Sequence, residues 1–88
     1  MANNDTVSVT DSGGDTAKIS ADSRSDVFLR NAGANTVYLA FNATAVSPKG
    51  MYLESGDTVF LTGRIASAAI HMVCASGETA TVNYQLYG

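Results

Sequence analysis

One imidazole and one thiol bound the reactions open to this 88-residue chain. Any Ser-His-Asp or Cys-His relay has to use His71, because an attacking hydroxyl or thiol needs a base within hydrogen-bond reach. His71 alternates with Ile70 and Met72, the setting of a strand histidine held by packing or placed at an interface. Cys74 follows in Met72-Val73-Cys74-Ala75 with no adjacent base or second thiol, and reads as a small buried hydrophobe. A lone cysteine also excludes an intrachain disulfide and a cysteine-based zinc ribbon or finger.

Carboxylates recur in two spaced pairs, Asp11 and Asp15 around Ser12-Gly13-Gly14, and Asp22 and Asp26 around Ser23-Arg24-Ser25. A calcium loop needs oxygen ligands at alternate positions, a register that neither pair supplies. Turns capped by aspartate side chains account for both pairs better. Gly13-Gly14 runs into Asp15 without the Lys and Ser/Thr of a phosphate-binding loop. Asn4-Asp5-Thr6 and Asn42-Ala43-Thr44 match the glycosylation pattern, which carries no weight without a secretion signal. Tyr38, Tyr52, Tyr84 and Tyr87 could stack against a sugar, but no tryptophan accompanies them. The expectation is a protein that is not an enzyme, with no catalytic residue, metal or cofactor.

Composition narrows the partners. Five Lys+Arg stand against eight Asp+Glu, a net charge of -3, so the attraction to phosphate that dominates nucleic-acid affinity is missing and no nucleic-acid partner is expected. No apolar run approaches the roughly 18 to 20 residues of a membrane span. The first twenty residues lack the basic start and apolar stretch of a secretory signal, so the expected place of synthesis is the cytoplasm, with no membrane partner. A chain this short hides only about 60 to 65% of the surface it exposes when unfolded, so association with itself or a larger body would help it.

The elements that must position these residues follow from charge and periodicity. Residues 1–26 carry five aspartates against Lys18 and Arg24, which is the whole net charge, while 27–88 is neutral overall. The first segment reads as a polar acidic N-terminal arm, a peripheral hairpin about Asp11–Asp15, or peripheral strands. In 27–88, period-two alternation puts five sets on one face: Val27 and Leu29; Val37, Leu39 and Phe41; Val59 and Leu61; Ile70, Met72 and Cys74; Ala80, Val82, Tyr84 and Leu86. Turn signals separate them at Asn31–Asn35, Ser47–Gly50, Ser55–Asp57 and Ser76–Glu78. Helical spacing is not sustained, and Thr62 to Ala69 is the best short-helix candidate. With Met51 to Leu53 and the Val7 and Ile19 segments added, seven or eight strands are available. The fold expected is all-β: a small antiparallel β-sandwich, jelly-roll or immunoglobulin-like, with an N-terminal arm or hairpin.

The alternate positions face outward, and among their threonines stand Phe28, Tyr38 and Phe60. A second layer could cover these rings, or a one-residue register step could invert a strand. Otherwise they form an apolar contact patch for another subunit or a partner, each ring being worth about 1.5 to 3 kcal/mol when buried. Only six charged residues occur after Asp26, which favours association by shape and apolar contact over steering by charge.

The runs Val27–Leu39 (VFLRNAGANTVYL), Leu53–Val59 (LESGDTV) and Val73–Val82 (VCASGETATV) give the chain from Val27 onward its likeness to a family. It resembles the small head decoration, or cement, proteins of tailed bacteriophages. The resemblance implies a compact β-sandwich that coats the capsid exterior of a virion as a homo-oligomer, made in the host cytoplasm. Its partners would be the major capsid protein and further copies of itself, a homotrimer being preferred and a dimer the alternative. Phe28, Tyr38 and Phe60 are the residues expected at the oligomer or capsid contact. The alternative function is a carbohydrate or host-surface binding module of a phage tail or fibre.

Overall fold

The computed structural model describes residues 2–12 and 17–87, without the side chains of 2–4 and 17. Eight strands appear in it: β1 (Ala2–Val9), β2 (Ala17–Ile19), β3 (Asp26–Asn31), β4 (Val37–Phe41), β5 (Met51–Leu53), β6 (Thr58–Thr62), β7 (Ile70–Val73) and β8 (Ala80–Tyr87). One helical turn, α1 (Arg64–Ser67), lies between β6 and β7, inside the stretch that the sequence offered as its best helix.

The strands form two four-stranded antiparallel sheets, ordered β1-β8-β3-β6 and β2-β7-β4-β5. Within them β1 pairs with β8, β2 with β7, β3 with β6, and β4 with β5. Successive pairs alternate between the sheets, as when one long hairpin is rolled into two layers. That order is the jelly roll, and it decides between the two sandwich topologies left open by the sequence. The acidic N-terminal segment supplies one edge strand to each sheet, so β1 and β2 pair with β8 and β7 and not with each other. Asp15 and the Gly13-Gly14 turn proposed for a hairpin lie outside the described residues.

Alternation explains the core. Val27 and Leu29 of β3, Val37 and Leu39 of β4, Ile70 and Met72 of β7, and Val82 of β8 are buried in one cluster between the sheets. Val9 and Ile19 join it from the two N-terminal strands, and Ala66 of α1 closes against it. Leu29, Ile70 and Met72 are the largest side chains buried completely.

Two buried polar residues tie the loops to this core. Asn31, fully buried at the end of β3, donates from Nδ2 to the carbonyls of Asn35 (2.8 Å) and Leu53 (2.9 Å) and accepts at Oδ1 from the Gly33 amide (3.0 Å). Three bonds nearly exhaust an amide side chain and fasten the β3–β4 loop to the end of β5. Arg24, also buried, donates from Nη1 to Ser20 O and from Nη2 to Ala68 O, each at 3.0 Å. A cation placed on the carbonyl after a helix's last turn is favourably disposed to that end. It locks the segment before β3 onto the end of α1.

Gly33 is required by a close approach. A Cβ built there would lie 2.8 Å from Ala80 Cα and Thr81 N, both backbone atoms of β8. The chain comes this close because the Ala32 amide donates to Thr81 O at 2.8 Å. Gly33→Ala should therefore part the β3–β4 loop from β8 and cost about 1–3 kcal/mol. Thermal unfolding checks this: a drop of about 4–8 °C per kcal/mol is expected for a domain of this size, and an unchanged midpoint would show that the loop yields freely.

Candidate interaction surface

Phe28 and Phe60 stand opposite each other in the β3–β6 register. Because Val27, Leu29 and Leu61 are turned into the core, their odd-even partners must point out of the sandwich. The two ring centroids are 6.4 Å apart with planes tilted by 51°. Tyr87 of β8 completes the group, with its ring edge-on to Phe60 at 6.4 Å. Offset and edge-to-face geometries suit the aromatic quadrupole, so the three rings brace one another. They are nevertheless exposed: 37% for Phe28, 56% for Phe60 and 36% for Tyr87.

Tyr87 was legible on the outward face of its strand but was not singled out. The signal that could have found it is the inward set Ala80, Val82, Tyr84 and Leu86, which turns Tyr87 to the side of Phe28 and Phe60 once β8 is known to neighbour β3. Around the rings the same face carries Thr58 and Thr62 of β6, Asn83 and Gln85 of β8, and two charged groups from β3, Asp26 and Arg30. Beside Phe28 the face dips into a shallow depression lined by Asp5, Thr6, Arg30, Asn83, Tyr84 and Gln85. The Tyr84 hydroxyl there is pushed above its ordinary range, first by burial and then by the Asp5 carboxylate, with Arg24 partly offsetting both.

Tyr38 lies elsewhere. It belongs to β4 in the other sheet, where it stands opposite Tyr52 of β5 with ring centroids 6.2 Å apart. Tyr52 is exposed beside it, whereas Met51, opposite the buried Leu39, is on the other side of the sheet. Of the three rings singled out from the sequence, the fold brings Phe28 and Phe60 together and puts Tyr38 on the opposite side. The body thus presents two aromatic patches, one on each sheet.

His71 is half-buried in β7, flanked in register by Lys18 of β2 and Ala40 of β4. Among the described residues no group of three or more His, Cys, Asp or Glu could hold a metal ion. No helix among them is long and apolar enough to cross a membrane. Asp11 accepts from the Gly77 amide at 2.7 Å, joining the loop after β1 to the 75–78 turn. Gly77 is needed in that turn because its φ of 80° falls in the left-handed region, while the Glu78 amide closes the turn onto Ala75 O at 3.0 Å.

Cys74 is 1% exposed. Burial pushes its thiol pKa up, and the Glu78 and Asp11 carboxylates add to the effect. Thiolate is the reactive form, so the native chain should react with a disulfide reagent at pH 8 roughly a hundredfold or more slower than the unfolded chain. Because the folded state holds this proton more tightly, the stability that it contributes is complete below the ordinary thiol range and is lost as pH rises through the raised value. Labelling kinetics in buffer and in denaturant check the first statement, and equal rates would refute it.

Set against protein-family models and against curated proteins, the chain matches none.

Proposed function

We propose that this chain is a capsid decoration protein of a tailed bacteriophage, a structural component that binds the outer surface of an assembled shell and strengthens contacts between coat subunits. The observation that carries this reading is the exposed cluster of Phe28, Phe60 and Tyr87 on a sheet face with few charges. Small proteins rarely leave contiguous rings in water unless something docks on them. The second patch, Tyr38 with Tyr52, supports the same reading, because reinforcing a lattice takes two contacts: one with the shell and one with a further copy or a second coat subunit. Each linked copy then holds its neighbours at high local concentration, so modest contacts add to slow release.

The test is mechanical. Shells assembled from the coat protein encoded in the same genome are heated with and without saturating protein, and disruption is followed by light scattering. Binding to the intact lattice alone raises the disruption temperature in proportion to the logarithm of free protein. An unchanged temperature at every concentration would remove the cementing role.

A second reading has one observation in its favour. The depression beside Phe28 sets a ring next to Asp5, Asn83 and Gln85, the pairing of stacking surface and polar groups that a sugar needs. A carbohydrate or host-surface module of a tail or fibre would retain glycans on an array as the isolated chain and ignore empty shells.

A further inference from the structure

The outer face of β3 reads Asp26, Phe28, Arg30, an acid and a base spaced evenly about a ring. With a strand rise of about 3.3 Å per residue, the two charges stand roughly 13 Å apart with Phe28 midway. The β6 column is symmetric about the same row, Thr62, Phe60, Thr58, while the β8 column presents Tyr87, Gln85 and Asn83. We propose that this face pairs with the same face of a second copy of the chain across a two-fold axis perpendicular to the strands, with Asp26 of each copy meeting Arg30 of the other over a buried Phe28–Phe60–Tyr87 core.

Such an axis, lying between the two faces, reverses the strand direction and leaves each column over its own counterpart. Phe28 then faces Phe28, Phe60 faces Phe60, and two Asp26–Arg30 pairs close the ends. An arrangement in which residue i meets j while j meets i is what an isologous interface demands. Among the described residues of β3, β6 and β8, Asp26 and Arg30 are the charged groups on this face, and the two-fold sets each against its opposite charge; Asp5 belongs to the edge strand β1, beyond β8 from this row. The roughly 30° twist between packed sheets displaces the outer columns but keeps β3 over β3 at the axis. The area is sufficient: a two-layer body with extents of 36 × 23 × 17 Å offers a broad face near the roughly 800 Å² per partner of a standard interface. The acid-ring-base order favours this two-fold dimer over the three-fold arrangement preferred from the family resemblance, since a three-fold contact joins two different surfaces.

The pairing makes no use of a shell, so it is tested in solution and stands or falls separately from the capsid reading. Sedimentation equilibrium should give twice the chain mass. Asp26→Arg and Arg30→Asp each oppose like charges in the homodimer and should weaken association roughly tenfold or more. Mixing these two variants should restore association as a heterodimer, because one copy then presents two arginines on this face and the other presents two aspartates. The double exchange D26R/R30D should dimerise nearly as the parent does. Circular dichroism confirms that each variant is folded, and the mixture keeps the test informative because both partners are the weakened chains. A parent chain that stays monomeric at 100 µM, on the order of the weak-interface range, would overturn the proposal. A three-chain mass, or a mixture no better associated than its separate components, would overturn it equally.

Discussion

Asn31→Ala should lower the unfolding free energy by about 2–4 kcal/mol, a large share of what a domain this small possesses. The side chain is fully buried and satisfies three backbone groups at once: the carbonyls of Asn35 and Leu53 and the amide of Gly33. Truncation removes all three bonds and leaves those groups competing for water at the end of the sandwich, where each unsatisfied group costs about 1–3 kcal/mol. The loss should appear as a lower urea midpoint with an unchanged slope, since the surface exposed on unfolding stays the same. Asn31 also links two loops through its backbone, accepting from the Gly56 amide at 2.8 Å and donating to Asp57 O at 2.9 Å. These bonds survive in the variant, so the effect isolates the side chain. A change below about 0.5 kcal/mol, the scatter of ordinary surface substitutions, would mean that the buried amide is not what holds the loops.

Phe60→Asp should have the opposite profile: little effect on folding and a large effect on association. More than half of the Phe60 surface is in water, and its ring contacts, tilted with Phe28 and edge-on with Tyr87, lie on the outer face. Replacing it removes little from the core formed by Leu29, Ile70 and Met72. At an interface the same change forfeits about 1.5–3 kcal/mol of ring burial and adds a charge to be desolvated. Association should fall by about two orders of magnitude or more, while the unfolding midpoint moves little. Size-exclusion chromatography with light scattering, alongside thermal unfolding, separates the two quantities. Undiminished self-association and shell occupancy would take the ring cluster out of the explanation.

Alternation made most of the core legible. Val27 with Leu29, Val37 with Leu39, and Ile70 with Met72 and Cys74 are all buried as their spacing requires, because a period of two leaves a strand one choice of face. Sheet membership was beyond the same signal. Phe28 and Tyr38 look equivalent along the chain, yet β3 and β4 belong to different sheets, a consequence of long-range pairing such as β1 with β8. Asn31 and Arg24 were misleading for a related reason. One resembles an ordinary turn residue and the other a solvated charge in an acidic leader, and their burial arises from carbonyls 22 and 44 residues away in sequence. Val73 lies at an outward position yet is 4% exposed, and with Ala45 and Val46 of the β4–β5 loop it lines one depression. Local pattern assigns the direction of a side chain. Only the assembled loops decide what covers it.

The most direct measurement is a binding isotherm on shells assembled from the coat protein of the same genome, with bound protein quantified after sedimentation. Decoration predicts a plateau at a fixed copy number per shell, set by equivalent lattice positions, and a plateau occupancy that Phe60→Asp reaches only at far higher concentration. Uptake that rises without saturating, or shells that sediment bare while the protein remains in solution, would contradict it.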